Sequence, residues 1–152
     1  MRIMNHMKRQ RGMNLIELLV VVAIVAILGA IAYPSYVRHI VDTKRTAARS
    51  TLLQVADRQQ QFFMDNKTYA ADLTSLGFGA NPLVVGDDGR EVPAGDMESV
   101  YSVTLANVGV TTYTATAAPL NGQLSRDTKC GSLVLDQSGN RTQSGAGTDC
   151  WN

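Results

Sequence analysis

The sequence is poor in the residues that most often carry chemistry. It holds two cysteines, two histidines and one tryptophan in 152 residues. His6 lies in a basic N-terminal stretch and His39 stands alone, so no Cys/His cluster has zinc-site spacing. Ser, His and Asp fall in no nucleophile motif, and there is no Gly-rich phosphate loop. The expectation is a protein with no catalytic residues, no cofactor and no metal. Charge is also missing from one place: Leu18 to Ala32 carries none.

That uncharged run dominates what is present. With Leu15, Ile16 and Tyr33 it is just long enough to cross a hydrocarbon core of ~30 Å at ~1.5 Å per helical residue. Lys8, Arg9 and Arg11 precede it and predict a cytoplasmic N-terminus. Glu17 sits near its start. An acidic side chain at mid-bilayer costs about 2.5–3.5 kcal/mol, so this carboxylate calls for a cationic partner.

Gly12-Met13-Asn14-Leu15-Ile16-Glu17-Leu18, the Val/Ala/Ile run and Tyr33-Pro34-Ser35-Tyr36 together resemble the N-terminus of type IV pilins. The resemblance implies cleavage by a prepilin peptidase between Gly12 and Met13, with methylation of the new amine on Met13. The family's usual residue after the cut is Phe, so Met13 departs from the pattern. The resemblance also implies that Glu17 pairs with the α-amine of a neighbouring subunit during assembly. The tail CGSLVLDQSGNRT…DCW is similar to minor pilins of the PilE type. The implied domains are a leader (residues 1–12), a transmembrane and filament-core helix (13–35) and a periplasmic or extracellular head (36–152).

The remaining sequence fits this outline on its own terms. Four basic residues fall in the leader, leaving ten basic against thirteen acidic residues from Met13 onward, a net charge of −3. One helix is predicted over 13–64, with a bend near Ala30 to Pro34 because proline removes a backbone hydrogen bond. Its second half is amphipathic. Val37, Val41, Ala48, Leu52, Val55 and Phe62 recur at three- and four-residue steps, while Arg38, Lys44, Arg45, Arg49, Asp57 and Arg58 fall largely on other faces. Tyr69, Leu73 and Leu76 are expected to pack on that helix. Residues 79–96 read as loop, with Asp87-Asp88-Gly89 and Glu91 in a solvated turn rather than a calcium loop. Strands are predicted over 99–107, 111–118 and 130–136, with a short fourth at Arg141-Thr142-Gln143 and a flexible Ser144-Gly145-Ala146-Gly147.

Cys130 and Cys150 lie in the segment expected outside the cytoplasm and read as one disulfide; two free thiols are the alternative. The fold class is therefore α+β: a long bent helix packed on a small antiparallel sheet, with a C-terminal disulfide loop.

The expected function is a minor pilin of a type IV pilus, supporting pilus biogenesis, twitching motility and adhesion. Its expected partners are other pilin subunits, the prepilin peptidase, the inner-membrane assembly machinery and, before assembly, the bacterial inner membrane. Two rivals share the N-terminal motif: a pseudopilin of type II secretion, and a minor pilin that captures DNA. The candidate DNA contacts are Lys44, Arg45, Arg49, Arg126, Lys129 and Arg141, although scattered cations in an acidic domain are more often a solvated face.

Overall fold

The structure, a computed structural model, describes residues 14–152. It comprises helix α1 (Leu15–Asn66), a 3₁₀ turn (Thr74–Leu76), strands β1 (Leu83–Gly86), β2 (Ser99–Ala106) and β3 (Thr114–Pro119), helix α2 (Asn121–Arg126), and strands β4 (Leu133–Asp136) and β5 (Arg141–Gln143). The chain divides into two units, one ending at Arg38 and the other spanning His39–Asn152.

In the first unit α1 begins after Asn14, whose carbonyl accepts the Leu18 amide at 3.2 Å. The helix runs unbroken through Gly29 and Pro34. The Pro34 carbonyl accepts a bond from Arg38 Nε at 3.2 Å.

In the second unit α1 ends where Lys67 adopts a left-handed conformation (φ 58°) and its amide bonds to Phe63 O at 2.9 Å, a common helix stop. The inward face of this part of the helix carries Val41, Ala48, Leu52 and Val55, as the periodicity predicts. It packs on an antiparallel five-stranded meander in the order β1-β2-β3-β4-β5. Tyr101 and Val103 of β2, Ala115 and Ala117 of β3, and Leu133 and Leu135 of β4 face the core. The register sets Val103 opposite Ala117 and Ala117 opposite Leu133, so small and large side chains alternate across strands.

The segment after the helix is anchored as expected, with Tyr69, Leu73 and Leu76 buried. The Tyr69 ring lies 4.8 Å from both Phe63 and Tyr113. Gln59, fully buried, holds it further: Nε2 donates to Ala70 O at 3.0 Å and Oε1 accepts from Ala70 N at 2.8 Å. A side-chain amide thus stands in for a strand neighbour.

Two elements correct the sequence reading. Residues 79–96 are not all loop, because Leu83–Gly86 forms β1, buried at every position. A strand covered on both faces shows a continuous apolar run instead of alternation, and Leu83-Val84-Val85 is such a run. Beyond β1 the chain turns back along its outer side: Gly86 N donates to Arg90 O and Val92 N to Val84 O, both at 2.9 Å. Within that turn Asp88 accepts the Arg90 amide, and Glu91 accepts the Gly79 amide. The second correction is α2, a single helical turn and a half that no apolar periodicity announces; tertiary hydrogen bonds hold it in place.

Candidate assembly and nucleic-acid interfaces

The first unit presents an apolar helix with no protein cover. From Leu15 to Ile31 its large aliphatic side chains are 51–78% exposed. Among the described residues, α1 is one helix long and apolar enough to cross a membrane by length and composition. Glu17 is the acidic residue of its first turn. Gly12 and Met13, the expected cleavage and methylation positions, lie outside the described residues.

In the second unit the six candidate DNA-contacting cations separate into three settings. Arg45 departs from the expectation: it points inward and is only 8% exposed. Its Nε and NH2 bond the two carboxylate oxygens of buried Asp127 at 3.0 and 2.5 Å, and NH1 reaches Asp42 at 3.0 Å. Arg49 is also engaged, donating to the Asn152 carbonyl and, at 2.7 Å, to Thr46 Oγ1. The sequence reading put both on polar faces; in the structure Arg45, in step with Val41 and Ala48, turns its long stem inward to a buried carboxylate, while Arg49 finds its acceptors nearer the surface. Arg58 behaves similarly, stacking 4.1 Å over the Phe78 ring and donating to Leu76 O.

Lys44 and Arg126 form the second setting. They come from α1 and α2 and line one cleft of about 230 Å³ with Ile40, Met97 and Asn121. Asp87 and Glu98 also line it, yet among the described residues neither cation has an acidic partner within 4 Å. Lys129 and Arg141, both exposed, form the third, beside the disulfide. The Arg141 guanidinium lies 5.6 Å from the Trp151 ring, whose Nε1 donates to Thr142 O at 3.0 Å.

The disulfide joins Cys130 to Cys150 as expected. The intervening Ser144-Gly145-Ala146-Gly147 is more ordered than its composition suggests. Ser144 N bonds Ser132 O, Gly145 N bonds Cys130 O and Gly147 N bonds Lys129 O, at 2.8–2.9 Å. A Cβ on Gly145 would stand 2.3 Å from Lys129 O, and one on Gly147 would meet both Lys129 and Cys150 Sγ. These glycines permit close backbone approach; they do not mark a loose linker.

Sequence reasoning missed the polar knot that positions α2. Asp127, immediately after α2, accepts from Arg45 and also from the Tyr101 hydroxyl at 2.6 Å. Gln123 Nε2 donates to Val41 O at 3.1 Å and to the Tyr101 oxygen at 3.0 Å. Burial works against the Arg45 charge, but hydrogen bonding and attraction to Asp127 outweigh it and raise its pKa. Burial likewise pushes the Tyr101 hydroxyl well above its ordinary value, aided by the hydrogen bond to Asp127. An Asp soon after a weak helical segment, with an Arg in an otherwise apolar stripe, was the available signal.

Two families match the sequence. Residues 34–134 match the family described as "Type IV minor pilin ComP, DNA uptake sequence receptor", and residues 7–33 match "Prokaryotic N-terminal methylation motif". The chain is similar to "Type IV major pilin protein PilA" of Myxococcus xanthus, 36% identical over 78 residues, which are 51% of this chain and 36% of that one. It is thus matched over just over a third of that protein's length. A "Fimbrial protein" of Pseudomonas aeruginosa is 29% identical over 109 residues, 68% of this chain and 71% of that one. A type IV pilin structure from Shewanella oneidensis is similar with a TM-score of 0.47 and 20% identity, covering 74% of this chain and 98% of that one.

Proposed function

The chain belongs to the type IV minor pilin family, and from that premise we propose that it is a structural subunit made as a single-pass inner-membrane precursor and incorporated into, or priming, a type IV pilus. In this reading the prepilin peptidase cuts between Gly12 and Met13, and the Met13 amine is methylated. The membrane assembly machinery then transfers the apolar helix from lipid to a core shared with other pilins. Such a fibre supports pilus biogenesis, twitching motility and adhesion.

One observation carries the proposal: the bare aliphatic helix from Leu15 to Ile31, interrupted by a single carboxylate. Burying so much apolar surface is strongly favourable, and lipid and a helical bundle are the two media that accept it on all sides. Glu17 fits the second medium. A carboxylate in a dry core requires a cation, and an amine on Met13 is four residues, about one helical turn, away in sequence. The amine of one subunit is therefore the natural partner for Glu17 of its neighbour.

The test joins intact mass to assembly. A mass equal to residues 13–152 plus one methyl group, two hydrogens lighter with the disulfide formed, is expected. Glu17→Ala should keep that processed mass but fall out of the sheared fibre fraction. Normal incorporation of Glu17→Ala, or an uncut leader in the wild-type protein, overturns the reading.

A second role, DNA capture, is favoured by the description of the matched family. Lys129 and Arg141, exposed beside the rigid disulfide strap, are the cations best placed to contact phosphate. Two phosphate contacts give a slope of about −2 in log affinity against log salt for duplex DNA. Absence of a gel shift at low salt removes this role and leaves the structural one standing.

A further inference from the structure

We infer that Trp151 is a positioning residue for phosphate contact by Arg141, a role that rests on the DNA-capture reading above.

Arg141 is exposed on the edge strand β5, and among the described residues no carboxylate lies within 4 Å of it. Its charge is available to a phosphate, but a long side chain must be ordered before it grips one, and that ordering weakens binding. The strand register brings it to a support. Arg141 stands opposite Leu135 of β4, and directly opposite residues share a face of the sheet. Leu135 faces the core, so Arg141 leaves β5 on the side where Trp151 packs against that core.

Trp151 is itself well held. It follows Cys150, which is fully buried and bonded to Cys130. Its Nε1 donates at 3.0 Å to the carbonyl of Thr142, the residue after Arg141. Its ring centroid lies 5.6 Å from the carbon at the centre of the Arg141 guanidinium. One indole thus touches the backbone beside Arg141 and the tip of its side chain. Tryptophan is the aromatic residue that holds a cation best. Stacking on a ring uses the flat face of a guanidinium and leaves its in-plane N–H donors for phosphate oxygens. The disulfide also ends at Cys130, next to Lys129, so the supports of the two exposed cations are covalently joined.

The experiment is a cycle of gel shifts, with the full processed chain in detergent and a short mixed-sequence DNA duplex at low salt. A cation–π contact at an exposed site is worth about two- to fivefold in affinity, so Trp151→Ala should weaken binding by that factor. In an Arg141→Gln background the same change should do nothing, because the side chain that Trp151 orders is gone. Trp151→Phe, which keeps a ring and loses the indole N–H, should bind more tightly than Trp151→Ala. Equal losses from Trp151→Ala in both backgrounds overturn the inference, since Trp151 then touches DNA itself or only holds the fold. So does unchanged binding by Trp151→Ala. Failure of DNA capture reads differently: the wild-type chain itself shifts no duplex, and this role falls with that reading.

Discussion

Replacing Asp127 with Asn tests the polar knot at the base of the sheet. The change is nearly isosteric and removes one charge. Asp127 is 1% exposed and accepts bonds of 3.0, 2.5 and 2.6 Å from Arg45 Nε, Arg45 NH2 and Tyr101. Asparagine leaves the Arg45 guanidinium buried without its main counter-ion, and breaking one side of a buried pair costs about 3–5 kcal/mol. Asp42, half-exposed and 3.0 Å from Arg45 NH1, survives and offsets part of the loss. The low end, about 3 kcal/mol, is therefore expected. For a unit of this size that lowers Tm by roughly 12 °C. Urea unfolding of the disulfide-intact chain in detergent, followed by near-ultraviolet circular dichroism, measures it. The cycle with Arg45→Met is decisive: once Asp127 is Asn, removing the stranded charge should cost little or restore stability. A loss below about 1 kcal/mol for Asp127→Asn refutes the reasoning. So does an Arg45→Met cost that simply adds to it.

Three further outcomes follow from particular contacts. Gln59→Leu strands the Ala70 N–H and C=O in the core and should cost ~2–4 kcal/mol in the same unfolding assay; a neutral result means water or another group replaces the amide. Gly145→Ala drives a methyl into the Lys129 carbonyl and should make the Cys130–Cys150 bond reducible several-fold faster by dithiothreitol, read by thiol labelling, while an unchanged rate shows a pliant strap. The hydrogen bond from Asn140 is the largest cause holding the Asp136 carboxyl below its usual pKa, so the stability this gives is full above the unfolded value near 4 and is lost as pH falls through the folded one. Asn140→Ala should move that carboxyl's NMR titration midpoint upward, and no movement contradicts the assignment.

Much of this was readable before any coordinates. The long helix declared itself by its charge-free half and by the Val41, Ala48, Leu52, Val55 stripe. Strands β2 and β3 showed a period of two because one face meets the core while the other bears Thr104 and Thr116. Strand β1 was hidden because both its faces are covered, and α2 because its stability is wholly tertiary. The inward turn of Arg45 was hidden for a different reason. Its partner Asp127 lies 82 residues away, and helical spacing alone does not distinguish an arginine reaching to water from one reaching to a carboxylate. The strap misled by composition, since glycines chosen for close contact look the same in sequence as glycines chosen for freedom.

The sheet's two outer strands bear on how copies of this chain avoid pairing with one another. An open strand edge is a template for uncontrolled pairing between copies. Here the outer side of β1 is occupied by the returning Arg90–Val92 backbone. β5 is only three residues long, and its Thr142 carbonyl is taken by the indole of Trp151. Both margins are thus blunted by the chain's own segments. The heads thus resist edge-to-edge zipping into aggregates.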